Sequence, residues 1–248
     1  MGAESYRRRA VNLLPTITTV DVQDQAPKVA VLPIGSFEQH GAHLPLITDA
    51  AIASIIAREV ASAYPVLQLP PITIACSHEH GTWAGTVSIS ARTLHAVVTD
   101  IAQSLEASGI RKLVLINAHG GNYVLSNIVQ EANVTEPRMS LFPQGHEWNR
   151  AREHAGLVSN SHDDMHAGEI ETSILLHAEP SVVRPGYETA DHDGGERPFL
   201  LTEGMKAYTQ TGVIGFPSHA TAEKGKAVLA SLTKDFAHHM AVLGGEKE

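Results

Sequence analysis

The sequence has little cysteine and no long apolar run. Cys76 is the single cysteine among 248 residues, so no disulfide can form within the chain, and a reducing compartment is expected. No uncharged apolar stretch reaches the roughly 18 residues that a membrane-spanning helix needs, and the first residues lack the apolar run of a signal peptide. We therefore expect a cytoplasmic protein without a membrane partner.

Basic residues are scarce as well. The chain carries 18 Lys and Arg against 27 Asp and Glu, which gives a formal net charge of -9. Its one basic cluster, at residues 6 to 10, is interpreted as a solvated flank. Because binding to a phosphate backbone requires a basic face, we expect no nucleic-acid partner. No long tract of Gly, Ser or Pro interrupts the chain, and the length favours a single globular domain over residues 1–248.

Histidine, in contrast, is abundant. The 15 histidines nearly match the Lys and Arg combined, and many of them adjoin Glu, Asp or Gly. Histidine titrates near neutral pH and is the commonest metal ligand in proteins. The composition therefore points to metal or proton chemistry.

Apolar runs alternate with helical stripes along the chain. Buried strands are predicted at 28–36, 66–75, 112–118 and 139–144. Helices are predicted within 49–65, 90–109, 117–132, 168–178 and 221–243, with Ser90 as an N-cap and Gly109 as a stop. This alternation predicts an α/β fold with a mainly parallel sheet and helices on both faces. Residues 181–219 show little regular pattern, and an excursion of that length is usually functional or interfacial.

Polar side chains follow the first predicted strand, at the sheet edge where the active sites of such folds lie. Glu38 and His40 are two residues apart, so extended backbone points both to the same side. A carboxylate and an imidazole that converge suit zinc or manganese, and Asp49 can reach the same cation or bridge two. The alternative is a solvated loop pair, with Asp49 as the N-cap of the next helix.

A second polar group follows the third strand, in "NAHGGN" at residues 117–122. Gly120 and Gly121 beside His119 let the backbone approach a ligand closely, and Asn122 offers an amide to it. Backbone amides at such a turn can also bind phosphate. The stretch lacks the lysine and glycine spacing of a P-loop, which disfavours a nucleotide site.

Two further segments concentrate titratable residues. In "DDMHAGEIETS", at residues 163–173, His166 and Glu169 are three apart and share a helical face, whereas Glu171 points elsewhere. A charged first turn favoured by the helix dipole is the alternative. In "SHEHGTW", His80 and Trp83 either line a pocket or extend a metal shell, and a surface turn explains them nearly as well.

Three of these blocks together resemble the signature of the creatininase (creatinine amidohydrolase) family. They are "EQHG" at 38–41 followed by "HLP" at 43–45 and "TD" at 48–49, then "NAHGGN" at 117–122, then "HAGEIETS" at 166–173, in the family's order. The resemblance covers about residues 28 to 230, and three ordered blocks are far more specific than one.

The resemblance implies a three-layer α/β/α fold, a homo-oligomer that is often a hexamer, and two adjacent divalent cations. Zinc is expected first, with manganese or iron as alternatives. By motif, one cation would be held by Glu38, Asp49 and His119. The other would be held by His40, Asp49 and a further carboxylate.

That further carboxylate marks a departure from creatininase proper, which has a glutamate where this chain has Gly121. Glu169 is expected to replace it. A second departure is His162, which stands where creatininase proper has an indole that closes over creatinine. Creatinine itself is therefore not the expected substrate.

The expected reaction is hydrolysis of a non-peptide C–N bond in a cyclic or small linear amide, by a water activated between two cations. His166 would pass a proton to the leaving nitrogen and Glu171 would orient it. The predicted substrate contacts are Gly120, Gly121, Asn122, His80 and Trp83. Alternatives within the family are a formamidopyrimidine deformylase or a short-peptide peptidase; the alternative from another class is a non-catalytic metal- or phosphate-binding protein.

Overall fold

A computed structural model describes residues 13–244. The basic cluster at residues 6 to 10, interpreted above as a solvated flank, lies outside these residues. Within them, no helix combines the length and the apolar character needed to cross a membrane.

In the part of the chain that the structure describes, four parallel strands form one sheet in the order β2-β1-β3-β4. The strands are β1 (Val29–Ile34), β2 (Val66–Gln68), β3 (Lys112–Asn117) and β4 (Met139–Phe142). In the central pair, Val29 lies opposite Lys112 and Ile34 opposite Asn117, so both strands end at the same edge. β2 is shorter than predicted because Pro70 and Pro71 cannot donate ladder hydrogen bonds.

Helices cover both faces of this sheet. On one face lie α2 (Thr48–Ala63), α5 (Gly145–Ala155), α6 (Glu169–Ala178) and α8 (Ala222–Val242), and on the other α3 (Ala91–Ala107) and α4 (Val124–Ala132). Two short helices, α1 (Thr19–Gln25) and α7 (Leu200–Glu203), bury none of their residues. Ser90 caps α3 by accepting from the Thr93 amide at 3.2 Å, and Gly109 follows with a φ of 93°, as predicted.

The core is divided between the two faces because side chains alternate along a strand. Val29 and Val31 of β1 pack with α2, α5, α6 and α8, whereas Ala30 and Leu32 pack with α3 and α4. The strands are buried on both sides, which explains their nearly continuous apolar sequence. The predicted layering of helices, parallel sheet and helices is confirmed.

The excursion predicted at 181–219 consists of 3-10 turns, the four-residue α7 and irregular chain. An isolated antiparallel bridge between Ile214 and His166 attaches it to the body, and a second, between Gly215 and His192, lies within the excursion. The excursion therefore contacts the segment that leads into α6.

Candidate metal centre

The centre begins where β1 ends against the first turn of α2. At Gly35 a side chain would overlap the backbone of Ala50, so only glycine lets the helix start lie over the strand end. α2 begins at Thr48 rather than at residue 50, which places Asp49 in the first helical turn instead of at the N-cap. The Asp49 carboxylate accepts a hydrogen bond from Ser36 Oγ at 2.6 Å, and the residue is buried.

Asp49 contacts a histidine with each of its oxygens. Its Oδ1 lies 3.0 Å from His40 Nε2, and its Oδ2 lies 3.2 Å from His119 Nδ1. His40 and His119 come from the ends of β1 and β3, so the shared sheet edge brings them together as predicted. A carboxylate placed between two imidazoles in this way has the geometry to bridge two cations.

Glu38 is the second carboxylate of the centre. It is completely buried, its Oε2 lies 3.3 Å from His119 Nε2, and neither of its carboxylate oxygens has an aligned hydrogen-bond donor. A buried carboxylate without a donor is costly unless a cation neutralises it, and burial raises the pKa of Glu38 to about 7. The residues present therefore fit divalent cations.

The charges of these groups are strongly linked. Burial opposes the charged form of His119, but Glu38, Asp49 and Glu79 outweigh it and raise its pKa to about 10. Burial likewise opposes ionisation of Asp49, yet the His40 and His119 charges hold the pKa of that carboxyl well below its usual range. A cation would replace the histidine protons, so metal uptake should release protons.

His166 lies beside the predicted ligands. Its ring centroid is 4.1 Å from that of His40, and its Nδ1 is 3.7 Å from Glu38 Oε1. Its Nε2 is 2.7 Å from the Gln39 carbonyl oxygen, which can only accept, so Nε2 carries the proton and Nδ1 is free. Burial and the neighbouring His40 lower the pKa of His166 to about 4, which keeps the ring neutral near pH 7.

Glu171 is the second carboxylate near His40, after Asp49. Its Oε1 is 3.7 Å from His40 Nε2, and its Oε2 accepts from the Ala167 amide. Ala167 has a φ of 54°, in the left-handed region, and this turn sets His166 and Glu171 on the same side. His40, His166 and Glu171 form one of the residue groups compatible with a metal ion.

Glu169, predicted as the second-site ligand, requires correction. Its carboxylate pairs with Lys224 Nζ at 2.5 Å and accepts from the Val158 and Ser159 amides. The prediction assumed that His166 and Glu169 share a helical face, but α6 starts at Glu169, and His166 lies in extended chain before it. Two residues along a helix turn the side chain by about 200°, so when Glu169 faces Lys224, Glu171 faces the centre.

The residues predicted to contact substrate differ in their burial and in their distance from the centre. His80 is buried inside the cluster, with Nε2 at 3.1 Å from Glu38 Oε1. Trp83 is half-buried farther out, where Lys206 Nζ lies 5.8 Å from the centroid of its ring. Gly120 is exposed, with open space where a side chain would stand.

Gly121 and Asn122 serve the scaffold. A Cβ at Gly121 would overlap the Glu79 carboxylate and the His119 ring, so glycine is required there by close approach. Asn122 uses its whole amide within the protein: Oδ1 accepts from the Cys76 amide, and Nδ2 donates to the Gly35 and Asn117 oxygens. The expectation that Asn122 binds substrate is therefore replaced by a role in holding the loops that carry the centre.

Two residues of the site were missed by sequence reasoning. Gln39 lies within "EQHG" between two predicted ligands, and its side chain contacts His80 and the Gly212 carbonyl. Asp164, 3% exposed, pairs with Arg152 and accepts from the Glu169 amide, which ties α5 to the start of α6. The adjacent "DD" before "MHAGE" was the available signal for Asp164, because a buried carboxylate near a helix start often caps it.

The family profile described as "Creatininase: Creatinine amidohydrolase" matches residues 15–240. The chain belongs to the creatininase family. It is 34% identical to the mycofactocin precursor peptide peptidase of Mycobacterium tuberculosis, over 96% of this chain and 94% of that protein. It is 25% identical to the creatinine amidohydrolase of Pseudomonas putida, over 62% of this chain and 66% of that protein.

Solved creatininase structures share the fold. One creatinine amidohydrolase (creatininase) crystal structure superposes with a TM-score of 0.77 at 23% identity, covering 94% of this chain and 98% of that one. A manganese form superposes with a TM-score of 0.75 at 21% identity, covering 91% and 95%, and a Zn-Zn form is also known. Members of the creatininase family are metal-dependent amidohydrolases, and this chain is an enzyme of that class.

Proposed function

We propose that the chain hydrolyses an amide C–N bond at a centre of two divalent cations bridged by Asp49. The observation that carries the proposal is the contact of each Asp49 oxygen with a different buried histidine, beside the donor-free carboxylate of Glu38. One cation would be held by Glu38, Asp49 and His119. The other would be held by His40, Asp49 and Glu171, with zinc expected first and manganese or iron as alternatives.

When bound, such cations lower the pKa of water and polarise the scissile carbonyl. The protein orients the ligands through main-chain carbonyls: Glu38 O lies 3.1 Å from His40 Nδ1, and Cys76 O lies 2.7 Å from His119 Nε2. Each ring therefore donates from one nitrogen and leaves the other facing the carboxylates.

His166 is the proposed proton carrier. Its Nδ1 is unprotonated and faces the centre, while the bond from Nε2 to the Gln39 carbonyl prevents rotation of the ring. Nδ1 can accept a proton from the attacking water and return it to the leaving nitrogen. Glu171 lies beside both His40 and His166 and favours the transient positive charge. Because His166 is 6% exposed, the proton is transferred largely out of contact with bulk water.

The proposed substrate is a cyclic or small linear amide. A second candidate is the peptide bond of a short modified peptide, favoured by the 34% identity over nearly the whole chain to a protein named as a precursor peptide peptidase. Likeness to a protein named as a formylaminopyrimidine deformylase is 28% over 45% of the chain, which gives that substrate less support. The homo-oligomer expected from the sequence stays a prediction, which light scattering after gel filtration would test.

The decisive experiment combines metal analysis with a substrate panel. Purified protein should contain close to two equivalents of divalent metal and should hydrolyse lactams, cyclic ureides, formamides or short peptides in a chelator-sensitive manner. Turnover of peptides alone would select the second candidate. Metal-free protein that binds phosphate without turnover would refute the proposal in favour of a non-catalytic binding protein.

A variant tests the bridge directly. Asp49→Ala should lose both metal and turnover, whereas Asp100→Ala, at an exposed position of α3, should keep both. If Asp49→Ala keeps full metal content, Asp49 does not bridge.

A further inference from the structure

Four buried imidazoles meet at the centre, and three of them share one arrangement. In each of the three, one ring nitrogen lies within hydrogen-bond distance of a main-chain carbonyl, which can only accept, so that nitrogen carries the proton. The pairs are His40 Nδ1 with Glu38 O at 3.1 Å, His119 Nε2 with Cys76 O at 2.7 Å and His166 Nε2 with Gln39 O at 2.7 Å. The other nitrogen of each ring faces the carboxylates.

His80 has the opposite arrangement. Its Nδ1 lies 3.0 Å from the side-chain Nε2 of Gln39, an amide nitrogen that can only donate. The Nδ1 of His80 must therefore accept, and a neutral ring must carry its proton on Nε2, 3.1 Å from Glu38 Oε1. Burial and the neighbouring His166, His40 and His119 hold the pKa of His80 far below its usual range, so the ring carries a single proton.

The orientation of the Gln39 amide is set by two other contacts. Its Oε1 accepts from the Gly41 amide at 3.0 Å, and its Nε2 donates to the Gly212 carbonyl at 3.1 Å. The same nitrogen lies 3.2 Å from His166 Nε2, but the proton of that ring nitrogen goes to the Gln39 carbonyl at 2.7 Å, so the two amide protons go to Gly212 and His80. Reversing the amide would lose both bonds and place its oxygen against the Gly212 oxygen. A Cβ at Gly212 would overlap the Gln39 side chain, so glycine is required where the excursion passes this amide.

Distance alone would make His80 a metal ligand. Glu38, His80 and His166 offer ligand atoms that lie within 4.8 Å of one another. In a tetrahedral site with bonds of about 2.1 Å, neighbouring ligand atoms are about 3.4 Å apart, close to the 3.1 and 3.7 Å separations of Glu38 Oε1 from His80 Nε2 and His166 Nδ1. His40, His119 and His166 each keep an unprotonated nitrogen directed at a carboxylate of the centre, whereas the only His80 nitrogen near those carboxylates carries the proton.

We propose that Gln39 is a positioning residue that excludes His80 from the ligand set by fixing its proton on Nε2. The His80 nitrogen that lies 3.1 Å from Glu38 Oε1 then carries a proton, so it has no lone pair with which to bind a cation, although it is not aligned for a hydrogen bond to that oxygen. The centre is thereby limited to two cations instead of three. This inference rests on the proposed metal-dependent function, but its first test does not require metal.

Histidine-labelled protein allows the tautomer to be read by long-range ¹H–¹⁵N NMR, with His80→Asn to assign the His80 signals. Metal-free wild type should show His80 protonated at Nε2 and bare at Nδ1, and zinc should leave that pattern unchanged. A proton on Nδ1, or a metal-bound shift at Nε2 after zinc addition, would overturn the proposal. Protein that takes up no zinc would refute the proposed function, while the metal-free spectrum would still decide the role of Gln39.

A double-mutant cycle tests the consequence for metal binding. Gln39→Glu replaces the donor by an acceptor, so the His80 proton should move to Nδ1 and Nε2 should become a ligand. Changes next to metal ligands alter affinity about 10- to 100-fold. We expect Gln39→Glu to add a third equivalent of zinc or to tighten binding about tenfold in a competition titration with a chelator.

The His80→Asn background controls for the negative charge that Gln39→Glu adds. In His80→Asn protein, Gln39→Glu introduces the same charge but has no imidazole to recruit, so the gain should disappear. His80→Asn alone should keep the wild-type zinc stoichiometry. An equal gain in both backgrounds would mean that charge alone strengthens binding, and loss of an equivalent in His80→Asn would mean that His80 is a ligand; either result contradicts the proposal.

Discussion

We expect Glu169→Gln to lower stability without loss of metal, and Glu171→Gln to lose metal with a smaller effect on stability. The Glu169 side chain is fully buried against Lys224, which is 20% exposed, and it accepts from two main-chain amides as well. Removing one partner of a buried ion pair costs about 3–5 kcal/mol. Glutamine keeps one acceptor oxygen and Lys224 is partly solvated, so we expect Glu169→Gln to lower the free energy of unfolding by about 2 kcal/mol.

For a domain of this size, such a loss corresponds to a fall in Tm of about 4–8 °C by calorimetry. Metal content should be unchanged, because the Glu169 carboxylate does not face the centre. Glu171→Gln should behave in the opposite way: it removes the carboxylate beside His40 and should cost one equivalent of metal, with a smaller change in the Tm of metal-free protein.

The pH dependence of the Glu169 variant has a defined sign. Burial opposes ionisation of Glu169, but Lys224 and Ser159 outweigh it and lower the pKa below the ordinary 4.5. A depressed carboxyl pKa stabilises the folded state above the unfolded-state value and loses that contribution as the pH falls through the folded-state value. The Tm gap between wild type and Glu169→Gln should thus be constant from about pH 8 to 5 and should close below 4.5. Loss of metal in Glu169→Gln, with normal metal in Glu171→Gln, would refute the assignment.

Three further predictions concern the site and its support. His166→Gln should keep its metal while kcat falls about 10²- to 10⁴-fold, as steady-state kinetics and metal analysis would show; unchanged kcat would remove His166 from the mechanism. Gly121→Ala should cost about 1–3 kcal/mol in denaturant unfolding, because the new Cβ overlaps His119, and a neutral result would mean that the loop yields freely. Arg152→Met leaves Asp164 buried without its ion-pair partner and should cost about 3–5 kcal/mol, whereas a change below about 1 kcal/mol would show that the backbone amides suffice for Asp164.

The sheet and the positions of the first proposed ligands could be predicted because each depends on local sequence. β1 and β3 are short apolar runs buried on both faces, and parallel strands end at one edge, so Glu38, His40 and His119 had to be neighbours. The prediction that Gly120 and Gly121 let the backbone approach a ligand is not tested; the groups that lie close to Gly121 are the Glu79 carboxylate and the His119 ring.

The remainder of the site depends on contacts between distant parts of the chain. Choosing Glu171 over Glu169 requires the residue at which α6 begins, and that start is fixed by Asp164, which accepts from the Glu169 and Ile170 amides. The role of Gln39 depends on Gly212, 173 positions away. Neither contact leaves a periodic pattern, so a single sequence could not reveal them.

The excursion is closed at its base, since His192 Nε2 lies 2.8 Å from the Tyr208 carbonyl oxygen and His192 also bridges to Gly215. Residues 193 to 207 thus form a loop whose two ends are already joined. The entropic cost of closing a loop grows slowly, by about 0.6 kcal/mol for each doubling of its length. Added residues between these ends would therefore cost little closure entropy where they leave the buried Met205 in place. Gly212 and Ile214 lie outside the loop and would keep their contacts with Gln39 and His166, so the loop can vary in length without moving those residues.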